Sequence, residues 1–397
     1  MSENSSKIDM RCDKDKKCSG CQLGNMTYEK QLKWKQTMVY RLLRQFGTVK
    51  KIAGMTNPYH YRNKQQFVFK KAKNGRVVCG LYQSKSQGVV ENFDCLINNR
   101  RACEIAKTIT SLLQSADIKI YSPKNGSGRL KHMLIKTGNS SGEIMVCFVC
   151  AKKTFSTDSK FIQSLLGKCP DITTITEIVN TNSSGVFVDG DESVIFGDGY
   201  ITDSLCGLNF KISARSFYQV NPLQAEQLYN CAIEKAKLKK GELLLDAYSG
   251  VGTIGIIAAA KTGAEVLSVE LNRAAAEDAV CNAKLNGVEN ISFANEDAGE
   301  YIQRLADTGR HIDCIIADPP RAGCSRAFLQ SLLNIAPQRV IYISCNPKTL
   351  QRDLYFITQN GYSAEFVKPF DMFPFTNHCE VCCLITRDKN KYTKREK

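Results

Sequence analysis

The sequence contains no aspartate or glutamate between residues 30 and 90, although the chain of 397 residues has 39 acidic side chains in all. This acid-free stretch holds fourteen of the 54 lysines and arginines, and the chain carries a formal net charge of +15. A solvated basic face would explain a short run of cations, but sixty-one residues without one acid are hard to obtain by chance in a folded domain. The stretch therefore indicates a polyanionic partner, and the phosphate backbone of a nucleic acid is the obvious one.

Long apolar runs are also missing from the sequence. No run of about 18 apolar residues, the length that crosses a bilayer, occurs in it. The first residues, Met1 to Lys7, lack the apolar segment of a signal peptide. We therefore expect a cytoplasmic protein with no membrane partner, and nothing in the sequence implies an obligate protein partner. The hydrophobic content of 43% is that of an ordinary globular protein, and the length allows two or three domains.

Cysteine is plentiful, with eighteen residues scattered along the chain. Without an export signal, such cysteines indicate free thiols and a metal site rather than disulfides. Cys12, Cys18 and Cys21 cluster in a lysine-rich loop, and their spacing fits structural zinc about as well as an iron–sulfur cluster. Cys147 and Cys150 also have metal spacing, but they lie inside a continuous apolar run, which predicts strand packing.

Aromatic side chains are interleaved with cations in the acid-free stretch. The rings are those of Tyr59, Tyr61, Phe67, Phe69 and Tyr82, and the cations are Arg62, Lys64, Lys70, Lys71 and Arg76. Stacking rings together with cations suit RNA bases and phosphates. About half of these rings are expected to face a core, because residues 66–69 alternate as in a strand. A second basic segment is Arg129-Leu130-Lys131-His132.

The pattern of elements divides the chain into three predicted domains. Residues 1–60 hold the cysteine loop and a helix over about 28–46. Residues 61–212 contain short strands, such as 77–82, 134–136 and 144–149, separated by Gly, Asn and Ser turns, which predicts an α+β domain. Residues 213–397 alternate strand and helix. Predicted strands at 243–246, 265–270, 291–294, 312–317 and 340–344, followed by a hairpin at 363–367 and 381–386, indicate an α/β fold with a Rossmann-like sheet of seven strands.

A glycine turn, Gly250-Val251-Gly252, follows the first of these strands and precedes a helix, so that backbone can approach a ligand closely. Glu270, at the end of the next strand, is placed to accept hydrogen bonds from ribose hydroxyls. The turn begins Asp246-Ala247-Tyr248, and an aromatic ring at that position can line an adenosine or methionine pocket. These features favour S-adenosylmethionine over NAD as the cofactor.

The tetrapeptide Ser344-Cys345-Asn346-Pro347 lies where a strand ends and a helix begins. A side chain at the carboxyl end of a strand in an open α/β sheet faces the ligand crevice. A cysteine in this position is by itself more often a small buried hydrophobe. Asp318-Pro319-Pro320-Arg321 ends the preceding strand, and related Asp/Asn-Pro-Pro-aromatic sequences occur in enzymes that methylate exocyclic amines of bases. Arg in place of the aromatic residue, with a cysteine one strand away, shifts the expected chemistry from nitrogen to carbon.

Methylation at C5 of uracil explains why these residues occur together. Because C5 is a poor nucleophile, a thiolate must first add at C6, and Cys345 is the candidate nucleophile. A base must then remove the C5 proton. Glu380, in His378-Cys379-Glu380 at the start of the last strand, is the candidate base, although alone it would be interpreted as an exposed strand residue.

The motifs extend over nearly the whole chain. They are Cys12-x5-Cys18-x2-Cys21, Tyr61-Arg62-Asn63-Lys64, Ser216-Phe217-Tyr218-Gln219-Val220-Asn221, Asp246 to Thr253, Asp318-Pro319-Pro320-Arg321, Ser344-Cys345-Asn346-Pro347 and His378-x-Glu380. In these motifs the chain resembles the bacterial RNA 5-methyluridine methyltransferase family, and within it the iron–sulfur branch that acts on 23S ribosomal RNA. The resemblance implies a Rossmann-like, seven-stranded S-adenosylmethionine-dependent methyltransferase domain, preceded by an α+β RNA-binding region with an iron–sulfur loop.

The same resemblance implies roles for individual residues. Cys345 would be the nucleophile and Glu380 the base. The pocket for S-adenosylmethionine would be formed by Gln219, Tyr248, Thr253, Glu270 and Asp318, and Asp318 would also touch the uracil.

A [4Fe-4S] cluster is implied as well, on Cys12, Cys18, Cys21 and one distant cysteine. Cys95, in Phe93-Asp94-Cys95-Leu96-Ile97, best matches the fourth ligand. Cys79 and Cys103 are the alternative candidates for the fourth ligand.

The sequence therefore predicts an enzyme that transfers a methyl group from S-adenosylmethionine to C5 of a uridine in 23S rRNA. Transfer RNA is the nearest alternative substrate. A non-catalytic iron–sulfur RNA-binding protein is an alternative of another class, and it would not require Cys345 and Glu380 to converge on one pocket. An amino-group methyltransferase is disfavoured because its chemistry has no use for Cys345.

Overall fold

The computed structural model describes residues 12–14, 17–84, 86, 88–181 and 188–388, and Lys85, one of the fourteen cations of the acid-free stretch, lies outside them. The chain forms two compact units. The first contains Met1–Gln31, Thr56–Ile201 and Pro374–Asn377, and the second contains Leu32–Met55, Thr202–Phe373 and His378–Lys397. The division into domains 1–60, 61–212 and 213–397 stays a prediction.

The described residues form nine helices and seventeen strands. The elements up to Phe196 are α1 (Tyr28–Leu43), β1 (Thr48–Val49), β2 (Lys64–Lys71), β3 (Val77–Tyr82), β4 (Val89–Val90), α2 (Arg100–Leu113), β5 (Leu130–Thr137), β6 (Ile144–Cys150), α3 (Lys160–Lys168), β7 (Thr174–Val179) and β8 (Asp191–Phe196). The following elements are β9 (Tyr200–Leu205), β10 (Leu208–Ser213), α4 (Pro222–Ala236), β11 (Leu243–Ala247), α5 (Thr253–Thr262), β12 (Glu265–Val269), α6 (Arg273–Leu285), β13 (Ile291–Ala294), α7 (Ala298–Asp307), β14 (Cys314–Ala317), α8 (Arg326–Ile335), β15 (Arg339–Ser344), α9 (Pro347–Gln359), β16 (Tyr362–Phe370) and β17 (Glu380–Arg387).

The first unit contains a seven-stranded sheet in the order β4-β3-β2-β5-β6-β7-β8. Neighbouring strands are antiparallel except for β6 and β7. Strand β2 alternates as predicted, so that Phe67 and Phe69 enter a core that also contains Ile105 of α2 and Leu165 of α3. Tyr82 stays exposed. The prediction of short strands in this part of the chain is confirmed. Of the five rings interleaved with cations, those of Tyr61, Phe67 and Phe69 are buried.

Four cysteines of the first unit serve its packing. Cys147 and Cys150 are fully buried in β6, whose seven residues are all buried, so their metal-like spacing reflects a strand interior as predicted. Cys79 in β3 and Cys103 in α2 are also buried. Cysteine in such positions behaves as a small hydrophobe.

The second unit contains an eight-stranded sheet in the order β1-β16-β17-β15-β14-β11-β12-β13. Strands β11 to β15 are parallel to one another, and β17 runs antiparallel between β15 and β16. The predicted Rossmann-like sheet of seven strands is confirmed, including the final hairpin without a helix. Strand β1 adds an eighth, parallel to β16, and at two residues it is too short to give a periodic signal.

The central strands of this sheet are covered on both faces. All four residues of β14 are buried, as expected for a parallel strand between two helical layers. One face packs in a core with α7, α8, α9 and the inner side of α1, and the other contacts α4, α5 and α6. In the described part of the chain, no helix combines the length and the apolar character that a membrane crossing requires.

The topology of this sheet brings several strand ends to one edge. Strands β11, β12, β14 and β15 are parallel, so their carboxyl ends lie at the same edge of the sheet. Strand β17 runs the other way, and Ser344 at the end of β15 pairs with Val381 near its start. Cys345 and Glu380 are therefore brought to the same edge, although they belong to different strands.

Candidate active site

A cavity of about 440 Å³ lies at this edge within the second unit. Its lining includes all seven residues to which catalytic or cofactor-binding roles were assigned from the sequence, namely Gln219, Tyr248, Thr253, Glu270, Asp318, Cys345 and Glu380. Further lining residues are Arg215, Phe217, Tyr229, Asn272, Arg321, Phe373 and His378. The fold thus gathers side chains that lie up to 165 positions apart, since the lining runs from Arg215 to Glu380.

The glycine turn after β11 has a backbone that few residues tolerate. Tyr248 has φ of 64°, in the left-handed region that non-glycine residues seldom occupy, and Gly250 and Gly252 have φ of 58° and 78°. A Cβ at Gly252 would stand 3.0 Å from the Cβ of Ala279, because the turn lies against α6. The turn therefore needs glycine both for conformation and for close packing, and it lets the backbone line the cavity.

Asp246 stabilises this turn through hydrogen bonds to the neighbouring helix and strand. Its buried carboxylate Oδ2 accepts hydrogen bonds from the backbone N–H of Gly255 at 2.9 Å and from the Ser268 hydroxyl at 3.2 Å. Burial raises the pKa of Asp246 to about 7. Asp246 does not line the cavity, and it ties the end of β11 to the first turn of α5.

Glu270 directly follows β12, lines the cavity and contacts the glycine turn. Its Oε2 accepts from the N–H of Gly250 at 2.9 Å, and its Oε1 accepts from the N–H of Asn272 at 2.7 Å. A carboxylate oxygen can accept more than one hydrogen bond, so both oxygens retain capacity for a hydroxyl donor. Glu270 can therefore fix the turn and bind a ribose at the same time.

The segment before α4 forms another wall of the cavity. The hydroxyls of Ser213 and Ser216 donate to Oδ2 of Asp278 at 3.0 and 2.5 Å, which fixes the tight turn between them. The chain then presents Phe217, whose side chain is exposed, and Gln219, which is buried, to the cavity. This serine–aspartate contact could not be predicted from the sequence, because Asp278 lies far along the chain, on α6.

Cys345 lies two residues before α9, half-buried at the cavity wall. Burial raises the pKa of its thiol to about 11, and the charges of Glu380 and Asp318 raise it further. The guanidinium of Arg321 opposes them by favouring the thiolate. The thiol is thus neutral near pH 7, and Arg321 is a cation that promotes its ionisation.

Glu380 is a buried carboxyl, Asp318 is a half-buried one, and the two interact electrostatically. Burial raises the pKa of Asp318 to about 7. Burial also raises the pKa of Glu380 well above its usual range, the charge of Asp318 raises it further, and Arg321 opposes both effects. A raised pKa makes each carboxylate, once ionised, a stronger base than an exposed one.

The turn that carries Arg321 is clamped by α9 and β15. Asn346 donates from Nδ2 to the carbonyl of Arg321 at 3.1 Å. Buried Asp353 accepts from the N–H of Cys324 at 3.0 Å and from the hydroxyl of Tyr342 at 2.6 Å. Because Cys345 lies next to Asn346, the N-cap of α9, one helix sets the position of both the thiol and the turn that carries the guanidinium.

A separate small cavity in the first unit gathers four of the predicted metal ligands. Cys12, Cys18, Cys21 and Cys95 all line it, with a volume of about 30 Å³. The N–H of Gly20 points to the sulfur of Cys18 at 3.4 Å. Burial raises the pKa of the Cys95 thiol, and the nearby Cys18 and Cys12 raise it further.

The other candidate ligands lie elsewhere. Cys79 and Cys103 are described and buried but do not line this cavity. Among the described residues, no group of three or more His, Cys, Asp or Glu side chains is arranged to hold a metal ion as it stands. The four thiols that share the cavity would therefore have to turn toward one point to coordinate a metal.

Sequence comparisons point to one family. Residues 189–388 match the sequence model described as tRNA (Uracil-5-)-methyltransferase. An uncharacterized RNA methyltransferase of Oceanobacillus iheyensis is 36% identical over 375 residues, which cover 93% of this chain and 81% of the relative. A second such protein, from Halalkalibacterium halodurans, is 36% identical over 384 residues, covering 96% of this chain and 83% of the relative.

A solved structure shows the same architecture. The tRNA (uracil-54, C5)-methyltransferase of Pyrococcus abyssi, in complex with S-adenosyl-L-homocysteine, matches with a TM-score of 0.75 and 28% identity, covering 93% of this chain and 86% of that one. Fold, cavity and relatives define the class as that of the RNA methyltransferases. The chain belongs to the RNA (uracil-5-)-methyltransferase family, whose activity is the methylation of uracil C5 in RNA.

Proposed function

We propose that this chain transfers a methyl group from S-adenosylmethionine to C5 of a uridine in 23S ribosomal RNA, through a covalent bond between Cys345 and C6. The observation that carries this proposal is the convergence of a thiol, two carboxyls and a guanidinium on one cavity at the carboxyl edge of the sheet. A non-catalytic RNA-binding protein would have no need for this arrangement.

The cavity residues fit S-adenosylmethionine. Glu270 offers acceptor oxygens for a ribose, the glycine turn allows close approach of the backbone, and Tyr248 and Gln219 line the remaining wall. The bound cofactor supplies an electrophilic methyl group on its sulfonium. The presence of S-adenosyl-L-homocysteine in the Pyrococcus abyssi relative supports this assignment. Thr253 and Asp318 complete the proposed cofactor pocket.

The chain's own residues carry the other steps. The Cys345 thiolate forms a bond to C6 of the uracil, and the electrons of the C5–C6 double bond move to the C4 carbonyl oxygen. C5 then gains the methyl group and becomes tetrahedral. Glu380 removes the C5 proton, the C5–C6 double bond re-forms, and the Cys345 thiolate leaves. The guanidinium of Arg321 favours the thiolate at the start and again when it departs.

This order of steps requires the ionised form of the base late in the reaction. Glu380 interacts with Asp318, whose charge raises the free-energy cost of ionising Glu380. Glu380→Gln should therefore still form the methylated adduct and release it slowly. Rapid turnover by this variant, without an adduct on denaturing gels, would assign the proton removal to another group.

Ribosomal RNA and transfer RNA are the two candidate substrates. The cysteine set in the first unit supports the ribosomal RNA assignment, because the chain resembles the iron–sulfur branch in that respect. The names of the family model and of the Pyrococcus abyssi relative favour transfer RNA. Mass mapping of 5-methyluridine in 23S rRNA and in tRNA from a deletion strain decides between them. Loss of the modification from tRNA alone would refute the ribosomal assignment.

We propose that Cys12, Cys18, Cys21 and Cys95 hold a [4Fe-4S] cluster. Four thiols on one cavity supply the donor set such a cluster needs, and a backbone N–H directed at sulfur is a usual feature of cluster sites. No step of the methyl transfer moves an electron. The proposed role is therefore stabilisation of the first unit and of its RNA surface.

Iron analysis of anaerobically purified protein tests this assignment. About four irons per chain are expected, with loss of iron in Cys95→Ser. Cys103→Ser is the matched control, because Cys103 is a nearby buried cysteine outside the cavity. Zinc in place of iron, or iron retained in Cys95→Ser and lost in Cys103→Ser, would refute the proposed site.

The cations of the acid-free stretch differ in their availability to RNA. Lys70 and Lys71 are exposed, and they remain our choice for phosphate contacts together with Arg62. Arg76 forms an ion pair with Glu91 at 2.5 Å. Burial lowers the pKa of Lys64. These two cations are therefore less suited to phosphate than the sequence suggested.

Two side chains of the second basic segment are also less suited to phosphate contacts than the sequence suggested. Lys131 is buried and donates to the carbonyl of Asn180 at 2.6 Å. Burial lowers the pKa of His132 to about 4, so this imidazole is neutral at physiological pH.

Neutralising Arg62, Lys70 and Lys71 should weaken RNA binding and flatten its salt dependence. Each lost phosphate contact lowers the slope of log affinity against log salt concentration by roughly one unit.

A further inference from the structure

Helix α1 has one buried face and one exposed face. Val39 and Leu43 are fully buried on the inner side and belong to the core of the second unit. The opposite side consists of exposed residues at helical spacing. We define the α1 outer face by Lys33, Trp34, Tyr40 and Arg41 together with Arg44, the residue that follows the helix, all within the second unit.

Two large aromatic rings lie on this outer face. Trp34 is 39% exposed and Tyr40 is 48% exposed. Trp34 is the only tryptophan of the chain. The guanidinium of Arg44 lies 5.5 Å from the centre of the Tyr40 ring. Large rings left in water beside cations are the composition of a stacking surface for nucleic-acid bases.

The charge of the outer face is of one sign. Lys33, Arg41 and Arg44 lie in the acid-free stretch, and none of the ion pairs found among the described residues involves them. The face also lacks leucine, isoleucine and phenylalanine, the residues that anchor an amphipathic helix in a bilayer. Cations with two rings and no aliphatic residue therefore favour RNA over a lipid surface.

The inner face of the same helix reaches the wall of the catalytic cavity. The buried ammonium of Lys35 donates to Asp371 at 2.5 Å and to the carbonyl of Phe373 at 2.9 Å. Phe373 lines the catalytic cavity. An α-helix with its side chains is about 10 Å across, so at Trp34 the outer face is about one helix width from the contact between Lys35 and Phe373.

We propose that the α1 outer face binds the unpaired RNA nucleotides that flank the target uridine, with bases stacked on Trp34 and Tyr40 and phosphates beside Lys33, Arg41 and Arg44. The segment from Trp34 to Arg44 spans about 15 Å, enough for roughly three nucleotides. This inference rests on the proposed function, because it assigns a part of the RNA substrate to a surface next to the same site.

Tryptophan fluorescence tests the proposal, because the single tryptophan makes the emission report on this surface alone. An unpaired RNA oligonucleotide that contains the target uridine should quench the emission, and a fully paired duplex of the same sequence should quench it much less. Vesicles with anionic lipids should leave it unchanged. Quenching by vesicles but not by unpaired RNA would overturn the RNA assignment.

Variants separate stacking from catalysis. Trp34→Ala and Tyr40→Ala should each raise the KM for RNA by about 5- to 100-fold, the range for loss of one base–ring stack, while kcat and the Kd for S-adenosylmethionine stay unchanged. Trp34→Phe should restore most of the affinity. Lys284→Gln and Leu285→Ala, on the exposed side of α6, are matched controls and should not change KM.

Activity and KM together distinguish failure of the proposed function from failure of the α1 outer face assignment. If wild-type protein methylates no RNA, the proposed function fails. If it methylates RNA but Trp34→Ala and Tyr40→Ala keep the wild-type KM, only the assignment of the α1 outer face fails. A loss of kcat with unchanged KM would also overturn it, because that result would give the rings a role in chemistry or folding instead of RNA binding.

Discussion

Replacing Arg321 or Glu380 should change the reactivity of the Cys345 thiol in opposite directions. Burial raises the pKa of Cys345 to about 11, Glu380 contributes to that rise, and Arg321 opposes it. Arg321→Gln removes the opposing cation, so the pKa should rise further and alkylation should slow. Glu380→Gln removes a negative charge, so the pKa should fall and alkylation should quicken.

The size of the effect follows from the thiol's ionisation. With a pKa of about 11, roughly one thiol in a thousand is ionised at pH 8. A change of one pKa unit alters the thiolate fraction about tenfold, but nucleophilicity changes by about threefold in the other direction. The net change in alkylation rate at constant pH should be about threefold, slower for Arg321→Gln and faster for Glu380→Gln.

Pulsed alkylation with iodoacetamide between pH 7.5 and 10, followed by trypsin and mass spectrometry, measures this rate. Cys345 is the only cysteine in the tryptic peptide 340–348, and exposed Cys281, alone in peptide 274–284, is an internal reference. The reference rate should be the same in all variants. A shift in the same direction for both variants would refute the electrostatic account of the site.

Three further predictions concern the parts that support the site. Tyr342→Phe removes the hydroxyl that donates to Asp353, so it should lower the free energy of unfolding in urea by about 1–3 kcal/mol. It should also slow the alkylation of Cys345, as Arg321→Gln does. An unchanged alkylation rate would mean that the hydrogen bonds of Asp353 do not position Arg321. Gly255→Ala places a Cβ 2.7 Å from Oδ2 of Asp246, and calorimetry should show weaker cofactor binding by about 1–3 kcal/mol, whereas wild-type affinity would show that α5 adjusts freely. Because burial raises the pKa of Asp318 to about 7 and that of Glu380 in the same direction, kcat should fall as the pH drops through about 7, and an acid limb near pH 4.5 in the pH–rate profile would contradict these shifts.

Residues next to strand ends could be predicted from the sequence. The glycine turn, Glu270 and Cys345 each follow an apolar run directly, and the parallel sheet then brings their side chains to one edge. Glu380 could be placed there only through the resemblance. Its position depends on the antiparallel direction of β17, which the sequence suggests only through the missing helix.

Contacts between distant segments could not be predicted. Asp353 lies 29 positions from Cys324, and the single stretch of sequence around either residue gives no sign of their hydrogen bond. For the same reason, the count of charges overestimated the availability of Arg76 to RNA. Arg76 forms an ion pair with Glu91, which lies just beyond the acid-free stretch and follows β4, the antiparallel neighbour of β3. Tyr229 lines the cavity from within α4, where the sequence offers only the periodicity of an ordinary helix.

Trapping of the protein on RNA that contains 5-fluorouridine tests the central claim most directly. Fluorine at C5 cannot be removed as a proton, so the bond between Cys345 and C6 should persist after methyl transfer. Wild-type protein with S-adenosylmethionine should give a denaturation-resistant adduct whose mass equals protein, RNA and one methyl group, with the RNA attached at peptide 340–348. Cys345→Ala should give no adduct. An adduct of the same mass in Cys345→Ala, or methylation by that variant at the wild-type rate, would contradict the account.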